Sequence, residues 1–334
     1  MKKSYYLFNP GRLSRKDNTL CFTPVDEHGN EGQPRHIPIE GVDNLYCFGS
    51  LDANSAMYNF LGKNHVSVHF FDYYEHYTGS FMAKEYLLAG KMQVEQTRAY
   101  LTPKKRMEIA RLLVEGAAAN ILRNLKYYQA RGRDLSVPIE RISQYILLIP
   151  NAQRIDELMG IEGNIRQTYY EAFGAIITDF EMGNRTKQPP LNEVNALISF
   201  GNMMCYTVCL DQIYHTQLNP TISFLHEPGA RRYSLALDLA EIFKPLLIDR
   251  TIFSLLNKRQ IQATDFRMEL NGCTLKEGGR KLFVQALEDR LKETFKHRSL
   301  GRNVSYRHLV KLECYKLSKH LLGIETYRPF KMMW

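Results

Sequence analysis

The sequence predicts an α+β fold: a small N-terminal β-sandwich-like domain (residues 1–82), a linker at residues 83–90, and a larger, almost all-α domain (residues 91–334). Three observations support this division. Through roughly the first eighty residues, short strand-like runs alternate with turn residues at close spacing, as in sandwiches and barrels. From about Ala83 the apolar residues recur at helical spacing. A hydrophobic content of 44% in 334 residues supports a true core, in one large domain or two ordinary ones.

The N-terminal domain is predicted from runs that end at turn residues. The first run ends at Asn9-Pro10-Gly11, and two further runs flank Lys16-Asp17-Asn18, which is typical of a hairpin. Residues 50–61 predict a short helix with Ser50 as its cap and Gly62 at its end. The predicted strands cover residues 5–8, 13–15, 20–22, 36–39, 44–48, 65–70 and 78–82.

Helices are predicted through most of the second domain. After a helix over residues 86–98, Thr102 is the expected cap of a long helix with Pro103 in its first turn. The polar positions of this long helix are rich in cations, which usually form a solvated face but can also follow a phosphate backbone. These cations are Lys104, Lys105, Arg106, Arg111, Arg123 and Lys126. Exceptions to the helical pattern are a turn-like stretch at 183–190 and a hairpin at 266–273, where Asn271-Gly272 is a strong turn signal.

Composition favours some classes of protein over others. The chain has 44 Lys and Arg against 35 Asp and Glu, a net charge of +9, which fits a polyanionic partner without requiring one. Its six cysteines are scattered and form no CxxC pair, so we expect no zinc site and no disulfide framework. We find no signal peptide and no apolar run long enough to span a membrane. These features predict a cytoplasmic protein.

Candidate metal ligands lie close together near residues 225–241. Asp238 and Glu241 are three residues apart in an apolar helical run and can share one face. Acids are rarely buried unless they are paired or bound to a cation, so with His226 nearby they indicate a divalent metal site. The ordinary alternative is a solvated acidic pair and a polar loop histidine. A third ligand elsewhere would strengthen this interpretation. A third acid, Glu162, is on its own expected to open a helix whose dipole favours an acid, with Gly163 keeping its surroundings open.

Around these residues the sequence resembles the CRISPR-associated integrase family (Cas-one), the endonuclease of spacer acquisition. The run IEG at 161–163, with Arg166 and Tyr169, is similar to the family's first motif, and PLNEVNALISFG at 190–201 is similar to its second block. A third block is matched by LNP at 218–220, FLHEPG at 224–229 and SLALDLAEIFKP at 234–245. The tail from residue 315 to residue 331 resembles the family's C-terminal end. The resemblance covers nearly the whole chain, including the order of β and helical regions.

The resemblance implies a catalytic metal site. It places Glu162, His226 and Glu241 at a divalent ion, with Asp238 as a supporting acid. Mg²⁺ prefers oxygen ligands, and one imidazole among carboxylates makes Mn²⁺ comparably suitable. Some family members have aspartate at the position of Glu241, and many have glycine at that of Ser223; neither departure changes a ligand type.

The resemblance also implies a reaction and its partners. A 3′-hydroxyl of captured DNA would attack a repeat-end phosphodiester, exchanging one phosphodiester for another. No external energy source is then needed, and the sequence has no GxxxxGK[ST] nucleotide loop. The expected partners are protospacer duplex and CRISPR-repeat DNA, a second copy of the chain meeting it through the N-terminal domain, and a small ferredoxin-like protein (Cas-two). The cell would be prokaryotic and no membrane would be involved. The candidate DNA contacts are Arg166, Tyr169, Arg231, Arg232, Lys104, Lys105 and Arg111.

Two other functions stay open from the sequence. The first is a metal nuclease that cuts branched or other DNA structures without joining DNA. The second is a helical nucleic-acid-binding scaffold with a degenerate site, whose DNA affinity would survive chelation. Arg166 and Tyr169 also have an ordinary alternative as packing or surface residues.

Overall fold

The computed structural model describes residues 2–83, 89–229, 233–269, 272–297 and 300–332. The chain divides into two compact units, Met1–Tyr86 and Leu87–Trp334. In the described part of the chain, no helix is long and apolar enough to cross a membrane.

The N-terminal unit contains two four-stranded sheets. Its strands are β1 (Lys3–Leu7), β2 (Gly11–Lys16), β3 (Thr19–Pro24), β4 (Arg35–Pro38), β5 (Val42–Cys47), β6 (Leu51–Asp52), β7 (Ser67–Phe71) and β8 (Tyr77–Phe81). One sheet has the order β1-β5-β7-β8, with the first three strands parallel and β8 antiparallel to β7. The other has the order β4-β3-β2-β6 and contains the predicted hairpin, in which Lys16 pairs with Thr19.

A single apolar core is shared by both sheets and the helix α1 (Ser55–Lys63). Leu13 and Leu20 enter it from one sheet, Leu45 and Val68 from the other, and Leu61 from the helix; all five are buried. Because alternate residues of a strand face opposite sides, each sheet supplies one apolar face to this core.

The start of α1 was predicted wrongly. Asn54, not Ser50, is its cap, and the Asn54 side chain accepts a hydrogen bond from the Met57 amide at 3.0 Å. Leu51 and Asp52 lie instead in β6, which pairs with Gly11 and Arg12 of β2. That pairing joins residues forty positions apart, so local sequence gives no signal for it.

The second unit is mainly helical. Its helices are α2 (Gly90–Leu101), α3 (Pro103–Gln129), α4 (Ser136–Leu148), α5 (Ile155–Glu171), α6 (Phe173–Ile176), α7 (Glu193–Tyr214), α8 (Ser234–Lys244), α9 (Arg250–Asn257), α10 (Glu277–Lys292) and α11 (Tyr306–Leu321). It also has two short hairpins, formed by β9 (Phe266–Glu269) with β10 (Gly272–Leu275) and by β11 (Thr294–Lys296) with β12 (Asn303–Ser305). The first hairpin was predicted, although Asn271 of its expected turn lies outside the described residues; the second was not.

Three details of the helices differ from the prediction. The helix expected from residue 86 is α2, which begins at Gly90 after the extended Ala89. Thr102 precedes α3, but its hydroxyl donates to the Arg98 carbonyl at 2.7 Å and does not cap the helix. Glu162 lies in the middle of α5 and does not open it, because the helix begins at Ile155 with other acids in its first turn.

The site is built on α8, which is almost completely buried between α3 and α7. A single turn of π-helix, Pro245–Asp249, continues α8 into α9. Gly201 lets α7 approach this turn closely, since a Cβ at that position would overlap the Ile248 side chain and lie 2.9 Å from Phe283. The close packing fixes both the acids on α8 and the residues of the π turn.

Candidate active site

Asp238 on α8 fixes the loop that carries the predicted histidine. Its side chain is completely buried. One carboxylate oxygen accepts hydrogen bonds from the amides of Phe224, at 2.6 Å, and Leu225, at 3.0 Å. The other oxygen accepts from the His226 amide at 2.9 Å and from its Nδ1 at 2.8 Å. Four donors on one buried carboxylate satisfy its charge and bind the loop to the helix.

The His226 imidazole therefore has a defined orientation. Since Nδ1 donates to Asp238, the lone pair of the neutral ring lies on Nε2. Burial alone would lower the pKa of His226, but the hydrogen bond and charge of Asp238, with the charge of Glu241, raise it overall. The side chain keeps 22% of its surface exposed, so a ligand can reach the ring.

Glu227, the residue after the histidine, connects the loop to α3 and α2 by hydrogen bonds. Glu227 accepts hydrogen bonds from Arg106, at 2.6 Å, and from the Tyr100 hydroxyl, at 2.9 Å. Arg106 also donates to the Phe224 carbonyl at 3.0 Å. Arg106, predicted as part of a cationic face, is thus used in positioning the loop.

Arg166 joins the two predicted glutamate ligands. From α5 its Nε donates to Glu162 Oε1 at 3.3 Å, one turn away on the same helix, and its Nη2 forms a close ion pair with Glu241 of α8. Lys244 donates to the other oxygen of Glu241 at 2.5 Å. Burial would raise the pKa of Glu241, but the charges of Arg166 and Lys244 lower it to about 2, so this buried acid is ionised.

Asp249 is a buried acid that the sequence reasoning missed. It lies at the end of the π turn and is completely enclosed. Burial raises its pKa to about 7, even though Arg166, Tyr169 and Lys244 act to lower it. Neither of its carboxylate oxygens accepts a hydrogen bond of ordinary geometry from the described residues. An aspartate directly after the apolar run Pro245-Leu246-Leu247-Ile248 was the available signal.

The candidate site thus contains four acids, an imidazole and two cations in one cluster. Both oxygens of Glu241 contact cationic side chains. Among the described residues, no group of three or more His, Cys, Asp or Glu side chains is arranged to hold a metal ion. In this arrangement the guanidinium of Arg166 is the shared cation of Glu162 and Glu241.

The structure changes the interpretation of three candidate DNA contacts. Tyr169 is completely buried, accepts a hydrogen bond from Asn124 at 3.0 Å and packs edge-on against Phe173, so it has no surface for DNA. Arg166 is mostly buried in its ion pairs. Arg111 donates to the Ala152 carbonyl, with its Nε at 3.2 Å. The prediction of DNA contact is wrong for Tyr169, and the two arginines have structural partners.

The other candidate DNA contacts differ in what the structure says of them. Lys104 and Lys105 are exposed in the first turn of α3 and stay predicted contacts. Arg231 and Arg232 lie outside the described residues.

Comparisons with known proteins identify similar chains. The family model described as "CRISPR associated protein Cas1" matches residues 5–289. "CRISPR-associated endonuclease Cas1" of Fusobacterium nucleatum subsp. nucleatum is 47% identical, covering 100% of this chain and 98% of the relative. "CRISPR-associated endonuclease Cas1 2" of Moorella thermoacetica is 47% identical, covering 99% and 100%.

Solved structures have the same fold. TM1797, a CAS1 protein from Thermotoga maritima, matches with a TM-score of 0.87 at 38% identity, covering 97% of this chain and 99% of that one. A casposase bound to integration product matches with a TM-score of 0.88, covering 99% and 93%. At 20% identity the second likeness concerns the fold alone.

Proposed function

The chain belongs to the Cas1 family of CRISPR-associated proteins, and from this we propose that it is a metal-dependent DNA endonuclease and integrase of CRISPR adaptation. Its reaction would insert captured short DNA into a CRISPR repeat array. The endonuclease names of relatives 47% identical over the whole chain support the nuclease activity. The family's motifs, matched in order along the chain, support integration.

One observation carries the proposal. Glu162 of α5 and Glu241 of α8 share one cation, while Asp238, one turn before Glu241, ties His226 to the same helix. The fold thus brings together acids from distant parts of the chain, and their buried negative charge is unfavourable without a positive partner.

The chemistry of these donors fits a divalent cation. Two carboxylates that already share a positive charge and an imidazole with a fixed orientation match the ligand preferences of Mg²⁺ and Mn²⁺. Glu162, His226 and Glu241 would hold the ion, and Asp238 would orient His226 from behind. A bound ion would stabilise the negative charge that develops on a phosphodiester and help to activate an oxygen nucleophile.

The chain's own residues would prepare the reaction. Asp238 keeps the imidazole in the tautomer that presents Nε2. Lys244, paired with Glu241, adds positive charge beside the proposed ligands, and the exposed Lys104 and Lys105 would contact the DNA backbone. A 3′-hydroxyl would lose its proton and form a new bond to phosphorus, while the 3′-oxygen of the target strand leaves and takes up a proton, which exchanges one phosphodiester for another.

The proposal includes the partners that the family resemblance implies. We expect a homodimer formed through the N-terminal unit and a small ferredoxin-like partner, Cas-two, acting on protospacer duplex and repeat DNA. The net charge of +9 is compatible with such a substrate.

The decisive experiment is a joining assay. The chain, its small partner, Mn²⁺ or Mg²⁺, a short duplex with free 3′ ends and a repeat-bearing target are incubated together. We expect covalent joining that chelation abolishes and that Glu162→Ala and Glu241→Ala each remove. The matched control Glu140→Gln, which neutralises an exposed acid on α4, should join normally. Nicking without joining would instead support a nuclease, and DNA binding with neither reaction would support a scaffold.

A further inference from the structure

Arg166 has one donor group left over. Its Nε and Nη2 contact Glu162 and Glu241, but its Nη1 is buried and has no hydrogen-bond partner among the described residues. A guanidinium carries five N–H donors, and a buried donor without a partner is costly. This arrangement leaves the guanidinium incompletely satisfied where it stands.

Asp249 has the complementary deficiency. Both of its oxygens are buried without an accepted hydrogen bond of ordinary geometry from the described residues, although the Tyr169 hydroxyl lies beside it. Asp249 and Arg166 are close enough for each charge to act on the other. A buried acid whose one neighbouring donor is the Tyr169 hydroxyl, among the residues that the structure describes, therefore lies near a buried cation with an unused donor.

We propose that Arg166 and Asp249 form a positioning pair for the metal site: the guanidinium bridges Glu162 and Glu241 before a divalent ion binds, and moves its pairing to Asp249 when the ion takes those acids. This inference rests on the proposed function, since it assigns Glu162 and Glu241 as ligands. Arg166 is a positioning residue because it acts through the two acids.

Arg166 and a divalent ion would compete for the same carboxylate oxygens, and this competition is the physical reason for the proposed change of partner. Two carboxylates brought together repel each other unless a cation lies between them, and Arg166 supplies that cation. An arriving ion must take oxygens that the guanidinium contacts, and a buried guanidinium left without an anion is strongly unfavourable. Asp249, in its ionised form, would provide that anion. Lys244 pairs with Glu241 and, among the described residues, forms no ion pair with Glu162, so it would lower the ion's affinity without linking the two acids.

Metal binding, measured without DNA, tests the pair. Mn²⁺ is titrated into the purified full chain and free Mn²⁺ is followed by its EPR signal. Arg166→Gln removes the competing cation, so we expect it to bind Mn²⁺ more tightly by a factor typical of coupled sites, roughly 5 to 150. Asp249→Asn removes the alternative partner, so it should bind Mn²⁺ more weakly by a factor in the same range.

The double variant separates this role from a merely structural one. If Asp249 acts by receiving Arg166, Asp249→Asn should have little effect on Mn²⁺ affinity once Arg166→Gln is present. An undiminished effect in the double variant, or an unchanged affinity of Arg166→Gln, would overturn the proposal. Arg307→Gln is the matched control, because it breaks another largely buried pair, Arg307 with Glu288 at 2.5 Å, and should leave Mn²⁺ affinity unchanged.

Two further measurements keep the test decisive. Should Arg166→Gln fail to fold by circular dichroism, Arg166→Lys keeps the charge but loses the planar fork that bridges two acids, and a smaller tightening is expected. Glu162→Gln identifies the site. If this substitution leaves the Mn²⁺ affinity unchanged, both the ligand assignment and the positioning pair are contradicted. If Glu162→Gln weakens Mn²⁺ binding but the substitutions of Arg166 leave the affinity unchanged, the positioning pair alone is contradicted.

Discussion

At the scale of single residues, Asp238 shows how one buried carboxylate can organise a site. It accepts three backbone amides and one imidazole, so the path of residues 224–226 depends on it. An acid in this setting needs no metal contact of its own to be essential. We expect its effect on the proposed reaction to pass through the position and tautomer of His226.

Replacing Asp238 by asparagine should therefore disturb both stability and the site. The amide nitrogen of the new side chain would face N–H groups that need an acceptor, and we expect the free energy of unfolding to fall by about 1–3 kcal/mol. Urea unfolding measures the loss, and the joining assay measures the misplaced imidazole. Glu140→Gln, at an exposed acid on α4, is the control and should change stability by less than about 0.5 kcal/mol. Equal effects of the two substitutions would contradict this role for Asp238.

The raised pKa of Asp249 predicts that the stability of the chain depends on pH. Its pKa is raised from 3.8 to about 7 in the folded chain, because burial disfavours its charged form. Folding therefore favours the protonated acid, and the stability that this provides is present below about pH 4 and is lost as the pH rises towards 7. Asp249→Asn cannot ionise, so its stability relative to the parent should increase over this range by up to about 4 kcal/mol. Urea unfolding at pH 4.5, 6 and 7.5 tests this; a difference that does not change with pH would disprove it.

Some residues of the site could be predicted from the sequence and others could not. His226 and Glu241 could be nominated from sequence because acids in an apolar helical run near a histidine are unusual. Glu162 could be nominated only from the family motif that it matches. The roles of Arg166, Lys244 and Asp249 could not, since their contacts depend on how α5, α8 and the π turn pack together.

At the scale of elements, local signals located most helices and strands but not all their ends. The helical spacing of apolar residues predicted the long helices, because each of these helices buries one continuous face. The short strands β6 and β11 were missed, since two or three residues cannot show a period and their pairing is set by distant partners. Glu162 was placed at a helix start because its acid suits a helix dipole, yet Asp156 and Glu157 fill that role in α5.

The close approach of α7 to the π turn gives a prediction for Gly201. An added methyl would overlap Ile248 and crowd Phe283, so Gly201→Ala should destabilise the chain by about 1–3 kcal/mol. Gly160→Ala is the matched control, because no atom beyond the adjacent residues and local backbone of its own helix lies within 4 Å of a Cβ there, and alanine is the better helix former by roughly 0.5–1 kcal/mol. Thermal unfolding of both variants decides the point: the packing is not as described if Gly201→Ala is as stable as Gly160→Ala.

At the scale of the whole molecule, the order of β and helical regions could be predicted because strand-like runs dominate the first eighty or so residues and helical spacing dominates the rest. The parallel pairing of β1, β5 and β7 could not, since parallel neighbours are joined through distant segments. Positive charge is likewise a property of the whole chain, and sequence alone does not tell which cations are free to meet DNA. Three of the cationic or aromatic candidates, Arg166, Arg111 and Tyr169, have internal partners.

The exposed cations at the start of α3 lead to a prediction about DNA binding. Each lysine that contacts a phosphate releases counterions, so affinity falls with salt in proportion to the number of such contacts. We expect the double variant Lys104→Gln/Lys105→Gln to bind duplex DNA more weakly, with the slope of log affinity against log salt reduced by about 2. Lys63→Gln/Lys258→Gln removes the same charge from exposed positions elsewhere and should keep the parental slope. Fluorescence anisotropy between 50 and 200 mM salt measures both slopes; the same slope for both variants would show that net charge, and not the surface of α3, attracts the DNA.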